Sequence, residues 1–151
     1  MSPGPRHAAA AAVLASILYA APALANEPQD IVRSIYTEPS TAFDAGRSAG
    51  YFAADLAGAM QTKRISPASF DYRYGAEDMR ISDLHLVTDV DHDHARVVAV
   101  FKNYGKANSV DWTLCRRADG DWRIADASSN TGPQDWDLRQ LLGLPAGAVR
   151  C

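Results

Sequence analysis

Between Met79 and Ala127 the chain alternates apolar and polar residues with a period of two, and does so in four consecutive segments. A period of two is the signature of a strand with one buried and one exposed face. Ile81 to Val90 reads as the first strand, with Asp91-His92-Asp93 as its turn. Ala95 to Lys102 is the second and most apolar, ended by Asn103-Tyr104-Gly105. Ser109 to Arg116 is the third, and Ala118-Asp119-Gly120-Asp121 supplies an Asp-Gly hairpin turn before the fourth, Trp122 to Ala127. Connections this short join only antiparallel neighbours, so the segments predict a four-stranded meander.

The residues before Met79 follow the helical period instead. Glu27-Pro28-Gln29-Asp30 suits a helix start, since proline and acids fit the first turn. Ile31, Val32, Ile35 and Tyr36 then share one helical face. Glu38 to Gly46 reads as a loop, and Tyr51 to Met60 as a second helix. Ile65 to Glu77 has a proline, three aromatics and a glycine, and reads as irregular. Asp137 to Leu142 is a short last helix, stopped by Gly143 and Pro145. Together these predict an α+β domain with the N-terminal helices packed on one face of the antiparallel sheet.

The first 25 residues have the layout of a secretory signal peptide. Arg6 is the leading cation, Ala8 to Ala21 the apolar stretch, and Ala23-Leu24-Ala25 the small-x-small cleavage pattern. An apolar run of about 14 residues is too short to cross a bilayer, which takes about 20. No cysteine lies near the cleavage point for lipid attachment, and no Arg-Arg pair precedes the run. The expected organisation is therefore a signal peptide over 1–25 and a single domain over 26–151, with cleavage after Ala25. The domain would be periplasmic or secreted.

Cleavage removes one cation and no anion, taking the formal charge from −3 to −4. The remaining basic pairs, Lys63-Arg64 and Arg116-Arg117, are isolated. Phosphate affinity needs concentrated Lys and Arg, so nucleic acid is a poor partner. No segment after the leader is apolar enough to span a membrane, and no cofactor motif is present, so none is expected. Cys115 and Cys151 make an even count in an oxidising compartment, which favours an intramolecular disulfide. Free thiols or a bond between chains are the other readings.

YFAADLAGAM, then AEDMRISDLHLV, ARVVAVFKNYG and DGDWRIADA resemble, in that order, an uncharacterised family of exported bacterial proteins and lipoproteins. That family, a domain of unknown function, lies within the cone-shaped nuclear-transport-factor-two-like (cystatin-like) superfamily. The resemblance runs from about Ile31 to Leu142. It implies a curved sheet, a cone-shaped fold and an envelope setting. It fixes no activity, since the superfamily hosts isomerases, dehydratases, immunity proteins and binding modules.

Some members hold an aspartate base and tyrosine or acid donors in a cavity between sheet and helices, which demands an apolar pocket that raises one carboxyl pKa. The candidates here are Asp126, Asp111 and a tyrosine from Tyr36, Tyr51 or Tyr72. Uninterrupted alternation sends Asp126 to the same face as Trp122 and Ile124. The densest polar cluster is Asp89, Asp91, His92, Asp93 and His94, with His85 nearby. These side chains suit zinc, nickel or copper, but Asp and His are also ordinary turn residues, and alternation keeps neighbours from converging. Ser128 and Ser129 lack a glycine elbow, so they read as loop polar groups. Trp112, Trp122 and Trp136 read as core, with an aromatic ligand shelf as the alternative. Tyr72-Arg73-Tyr74-Gly75 reads as an exposed-looking loop that packs on the sheet edge or meets a partner.

Three classes of function remain. The leading one is a non-enzymatic binding module for an envelope protein or a small-molecule ligand. The second is a small cone-fold enzyme, isomerase- or hydrolase-like, using Asp126 and a tyrosine. The third is an inhibitor or immunity-type protein. The sequence leaves the oligomeric state open.

Overall fold

The computed structural model describes Met1, Cys151 and residues 27–37, 50–63, 71–75, 79–131 and 135–147. The leader expected over residues 1–25, apart from Met1, the loop expected over Glu38 to Gly46 and much of the irregular stretch from Ile65 lie outside them. Two helices come first, α1 (Pro28–Thr37) and α2 (Ala54–Lys63). Five strands follow: β1 (Ile81–Asp91), β2 (His94–Asn103), β3 (Lys106–Arg116), β4 (Trp122–Ser129) and β5 (Trp136–Asp137). A short α3 (Leu138–Leu141) closes the order. The strands form one antiparallel sheet in sequence order, β1-β2-β3-β4-β5. The expected α+β class and meander hold, but the sheet has five strands rather than four. No helix among the described residues is long and apolar enough to cross a membrane.

Alternation works along β2 and β3 as the period requires. Ala95, Val97, Ala99 and Phe101 are buried on β2, and Val110, Trp112 and Leu114 on β3. They form the inner face, covered by Ile31, Val32 and Ile35 of α1 and Leu56 of α2. The β2–β3 connection is tighter than the sequence implied. Tyr104 (φ 49°) and Gly105 (φ 76°) are both left-handed, the arrangement of a two-residue hairpin turn, so β3 starts at Lys106.

Two expectations fail at the edge of β4. The second helix begins at Ala54, not Tyr51. Tyr51 lies in a turn, and Phe52 forms a parallel bridge with Ile124. Ile124 N–H donates to Tyr51 O at 2.8 Å, and Ala53 N–H to Ile124 O at 2.8 Å. Backbone groups on the side of β4 away from β3 need partners, and this segment supplies them before the helix can begin.

The second failure is a β-bulge. Ile124 pairs with Leu114 and Asp126 with Thr113, so Ala125 is an extra residue on β4. The bulge reverses the phase of the strand. Ala127 and Ser129 continue the inner face begun by Trp122 and Ile124, while Asp126 and Ser128 turn to the outer one. The expectation that Asp126 shares a face with Trp122 is therefore corrected.

Cys115 and Cys151 are bonded, with Cα atoms 5.8 Å apart and a sequence separation of 36. The bridge fixes the C-terminal residue to the outer side of β3. Closing a loop of this length contributes about 3–4 kcal/mol by restricting the unfolded chain.

Candidate functional site

The two faces of the sheet carry different chemistry. On the inner face, Trp112 is fully buried and its indole N–H donates to the Tyr36 hydroxyl at 3.1 Å. Tyr36 stands edge-on to Trp112 (6.1 Å between ring centres) and to Tyr74 (5.6 Å), and tilts against Phe101 at 5.9 Å. Tyr72 stands edge-on to both Trp112 and Phe52. Such edge contacts are the favoured aromatic geometry. Among the described residues, these rings pack against one another between the sheet and α1. Burial pushes the Tyr36 and Tyr72 phenols well above their ordinary value. The segment Tyr72-Arg73-Tyr74-Gly75 belongs to this layer and is not exposed. Arg73 and Tyr74 are buried, and Arg73 pairs with Asp71 while lying over the Tyr74 ring. Trp122 and Trp136 are also core residues, so the three tryptophans form no surface shelf.

On the outer face, register places acids and hydroxyls side by side. Asp111 pairs with Ser128, Ser128 with Asp137, and Thr113 with Asp126. A groove of about 290 Å³ opens here, with Asp111, Ser128, Asp135, Asp137 and Gln140 among its walls. Asp111 is held by Arg96, whose Nη2 lies 2.7 Å from Oδ1. Asp137 is the N-cap of α3, with extended backbone and Oδ1 accepting from Gln140 N–H at 2.8 Å. That is the standard way to satisfy a free helix-start donor.

Asp126 stands beside Asp137. Its Oδ1 accepts from Ala127 N–H at 2.8 Å and from Arg139 N–H at 3.2 Å. Burial first, and then the charge of Asp137, push its carboxyl up to about 6. A buried carboxyl beside a second acid resists ionisation, which is why the shift of Asp126 is upward. The arrangement can accept hydrogen bonds, attract cationic groups and exchange a proton.

Arg139 locks the site from behind and is itself buried. Its Nη2 donates to Asp55 Oδ2 at 2.7 Å, Nη1 to Ala125 O at 3.2 Å and Nε to Pro145 O at 3.1 Å. One side chain thus ties α2, the bulge, α3 and the C-terminal segment together. Burial works to raise the Asp55 carboxyl, but the Arg139 hydrogen bond and the Leu56 N–H outweigh it and hold it low. Nothing in the sequence marks Arg139 for this task. Asp137 was findable: an acid three residues before Gln140 at a helix start is a capping pattern.

The remaining sequence candidates separate. Asp126 and Asp111 face away from Tyr36 and Tyr72, so the structure does not assemble an aspartate–tyrosine pair from them. Tyr51 lines a small pocket of about 210 Å³ with Asp30, Ser34 and Arg123. Asp89, Asp91, His92, Asp93 and His94 are exposed at the β1–β2 turn, where His92 has φ 53°. His92 Nδ1 lies 2.5 Å from Asp91 Oδ1. Among the described residues, no three His, Cys, Asp or Glu side chains converge as metal ligands. Ser129 donates to Ser109 O at 2.6 Å, so it ties β4 to β3. No protein-family model, curated protein or solved structure compared with the chain matches it.

Proposed function

We propose that the chain is an exported, non-enzymatic binding domain of the bacterial envelope. It engages a protein or small ligand through the outer groove bounded by Asp111, Ser128, Asp135 and Asp137. The observation that carries this reading is the division of the sheet. Inner-face rings are packed against each other, while acids and hydroxyls gather on the outer face in a groove of about 290 Å³. The ligand chemistry that fits is a group bearing positive charge or several hydrogen-bond donors. The leader pattern and the Cys115–Cys151 bond support an oxidising compartment, periplasmic or extracellular. The helix-covered meander also supports the resemblance to the nuclear-transport-factor-two-like superfamily and its cone-shaped fold.

Calorimetric titration with spermidine and with a short lysine peptide tests the reading. Saturable binding is expected that weakens with salt and falls roughly tenfold, about 1.4 kcal/mol, in Asp135→Asn combined with Asp126→Asn. No saturable binding of either probe, or binding indifferent to both substitutions, would overturn it.

A further inference from the structure

A cation of the protein's own stands beside the acids of the outer groove. Register places Arg96 of β2 directly opposite Asp89 of β1, while Asp111 of β3 lies diagonally from it, opposite Val98. Directly opposite Cβ atoms are about 4.5–5.5 Å apart and diagonal ones about 7–8 Å, so one long side chain on β2 reaches either acid. The guanidinium takes the more distant acid, with Nη2 lying 2.7 Å from Asp111 Oδ1. Asp89 is exposed, and among the described residues Arg96 pairs with Asp111 and not with Asp89. The Asp111 contact is close but poorly directed. Its Oδ1 is buried, and among the described residues no donor is aligned with it as a hydrogen bond. A buried acceptor without a directed donor is costly, and a donor arriving through the groove would relieve it. The Arg96 side chain is itself 63% exposed, and ion pairs that open to water contribute little.

Resting on the reading of this groove as the binding site, we propose that Arg96 is its gate. A ligand cation reaches Asp111 by displacing the guanidinium, which swings across the outer face to Asp89. The exchange keeps the charges matched. Before binding, Arg96 neutralises Asp111 and Asp89 faces water. Afterwards the ligand neutralises Asp111, and Arg96 neutralises Asp89. The backbone of β2 stays where it is, because both acids lie within reach of one side chain. Asp89 is therefore a second seat for the gate and never meets the ligand. It lies two strands and two residues from Asp111, about 12 Å by strand spacing and rise.

Calorimetric titration with spermidine of the disulfide-bonded protein, Arg96→Gln, Asp89→Asn and the double variant tests this. At 0.15 M salt the Debye length of about 8 Å screens the bare charge of Asp89 from the groove. Arg96→Gln is expected to tighten binding roughly two- to fivefold, the range of an exposed ion pair. Asp89→Asn removes the second seat and should weaken binding about twofold when Arg96 is present, yet change nothing beside Arg96→Gln. Thermal unfolding run alongside checks that these exposed positions leave the fold unchanged. Binding no tighter in Arg96→Gln would overturn the gate while leaving the groove as the binding site. So would a loss of equal size from Asp89→Asn in both backgrounds, which marks a simple field effect. No binding to either the unmodified protein or Arg96→Gln would instead overturn the groove itself, and the gate with it.

Discussion

The inner and outer faces of this sheet share strands β2, β3 and β4, yet their neighbouring residues do opposite work. Trp112 and Leu114 point into a layer of tyrosines, phenylalanine and helix residues. Asp111, one position away, lines a groove with Asp137, and Thr113 pairs with Asp126 on the same face. Face by face, the pleat separates what holds the molecule together from what is left to meet other molecules. The bulge at Ala125 decides which group Asp126 joins. Without the extra residue it would enter the ring layer, where an unpaired carboxylate is costly to bury.

That contrast can be broken most sharply at Trp112. Trp112→Ala removes the centre of the inner layer and the donor to Tyr36, and should cost about 3–5 kcal/mol in denaturant unfolding. A loss below about 1 kcal/mol would mean the rings are not a packed core. The disulfide refines the comparison, because its Cys115 end belongs to the outer side. Cys151→Ser should lower stability by about 3–4 kcal/mol in the same assay, while leaving cation binding intact. Arg139→Met probes the tie behind the groove. It strips donors from Ala125 O, Pro145 O and Asp55, and should cost about 2–3 kcal/mol. Unlike the cysteine change, it should also weaken binding, since the bulge beside Asp126 loses its tie at Ala125 O.

The smallest effect has the opposite sign. Folding raises the Asp126 carboxyl from an ordinary aspartate value to about 6. A folded value above the unfolded one contributes stability below about pH 4, and that contribution disappears as the pH rises through 6. At pH 7, Asp126→Asn should therefore stabilise the fold, by about 1 kcal/mol after allowance for solvent screening of a half-exposed group. At pH 4 the variant and the parent should be nearly equal. Chemical denaturation at both pH values checks this, and a destabilised variant at pH 7 would contradict it.

What was legible in the sequence was whatever depends on local period and turn chemistry. Alternation marked β1 to β4, the Asp-Gly turn at Asp119-Gly120 marked the last hairpin, and Cys115 with Cys151 announced a staple. Features set by partners distant in sequence were not legible. β5 has two residues, too few for any period, and exists because Ser128 and Ser129 offer it an edge. The turn before α2 exists because Ile124 needs backbone partners, which the apolar pattern around Tyr51 does not reveal. The site was half legible. Asp126 and Asp111 were named, but the bulge that moved Asp126 to their common face was not. Alternation cannot register an inserted residue when both Ala125 and Ala127 are small and apolar.

Chemical-shift mapping during a spermidine titration tests the division between the faces most directly. The account predicts saturable shifts at Asp111, Ser128, Asp135 and Gln140, with the Trp112 indole N–H unmoved. Saturable shifts centred on Trp112 and its Tyr36 neighbour, with the groove silent, would contradict it.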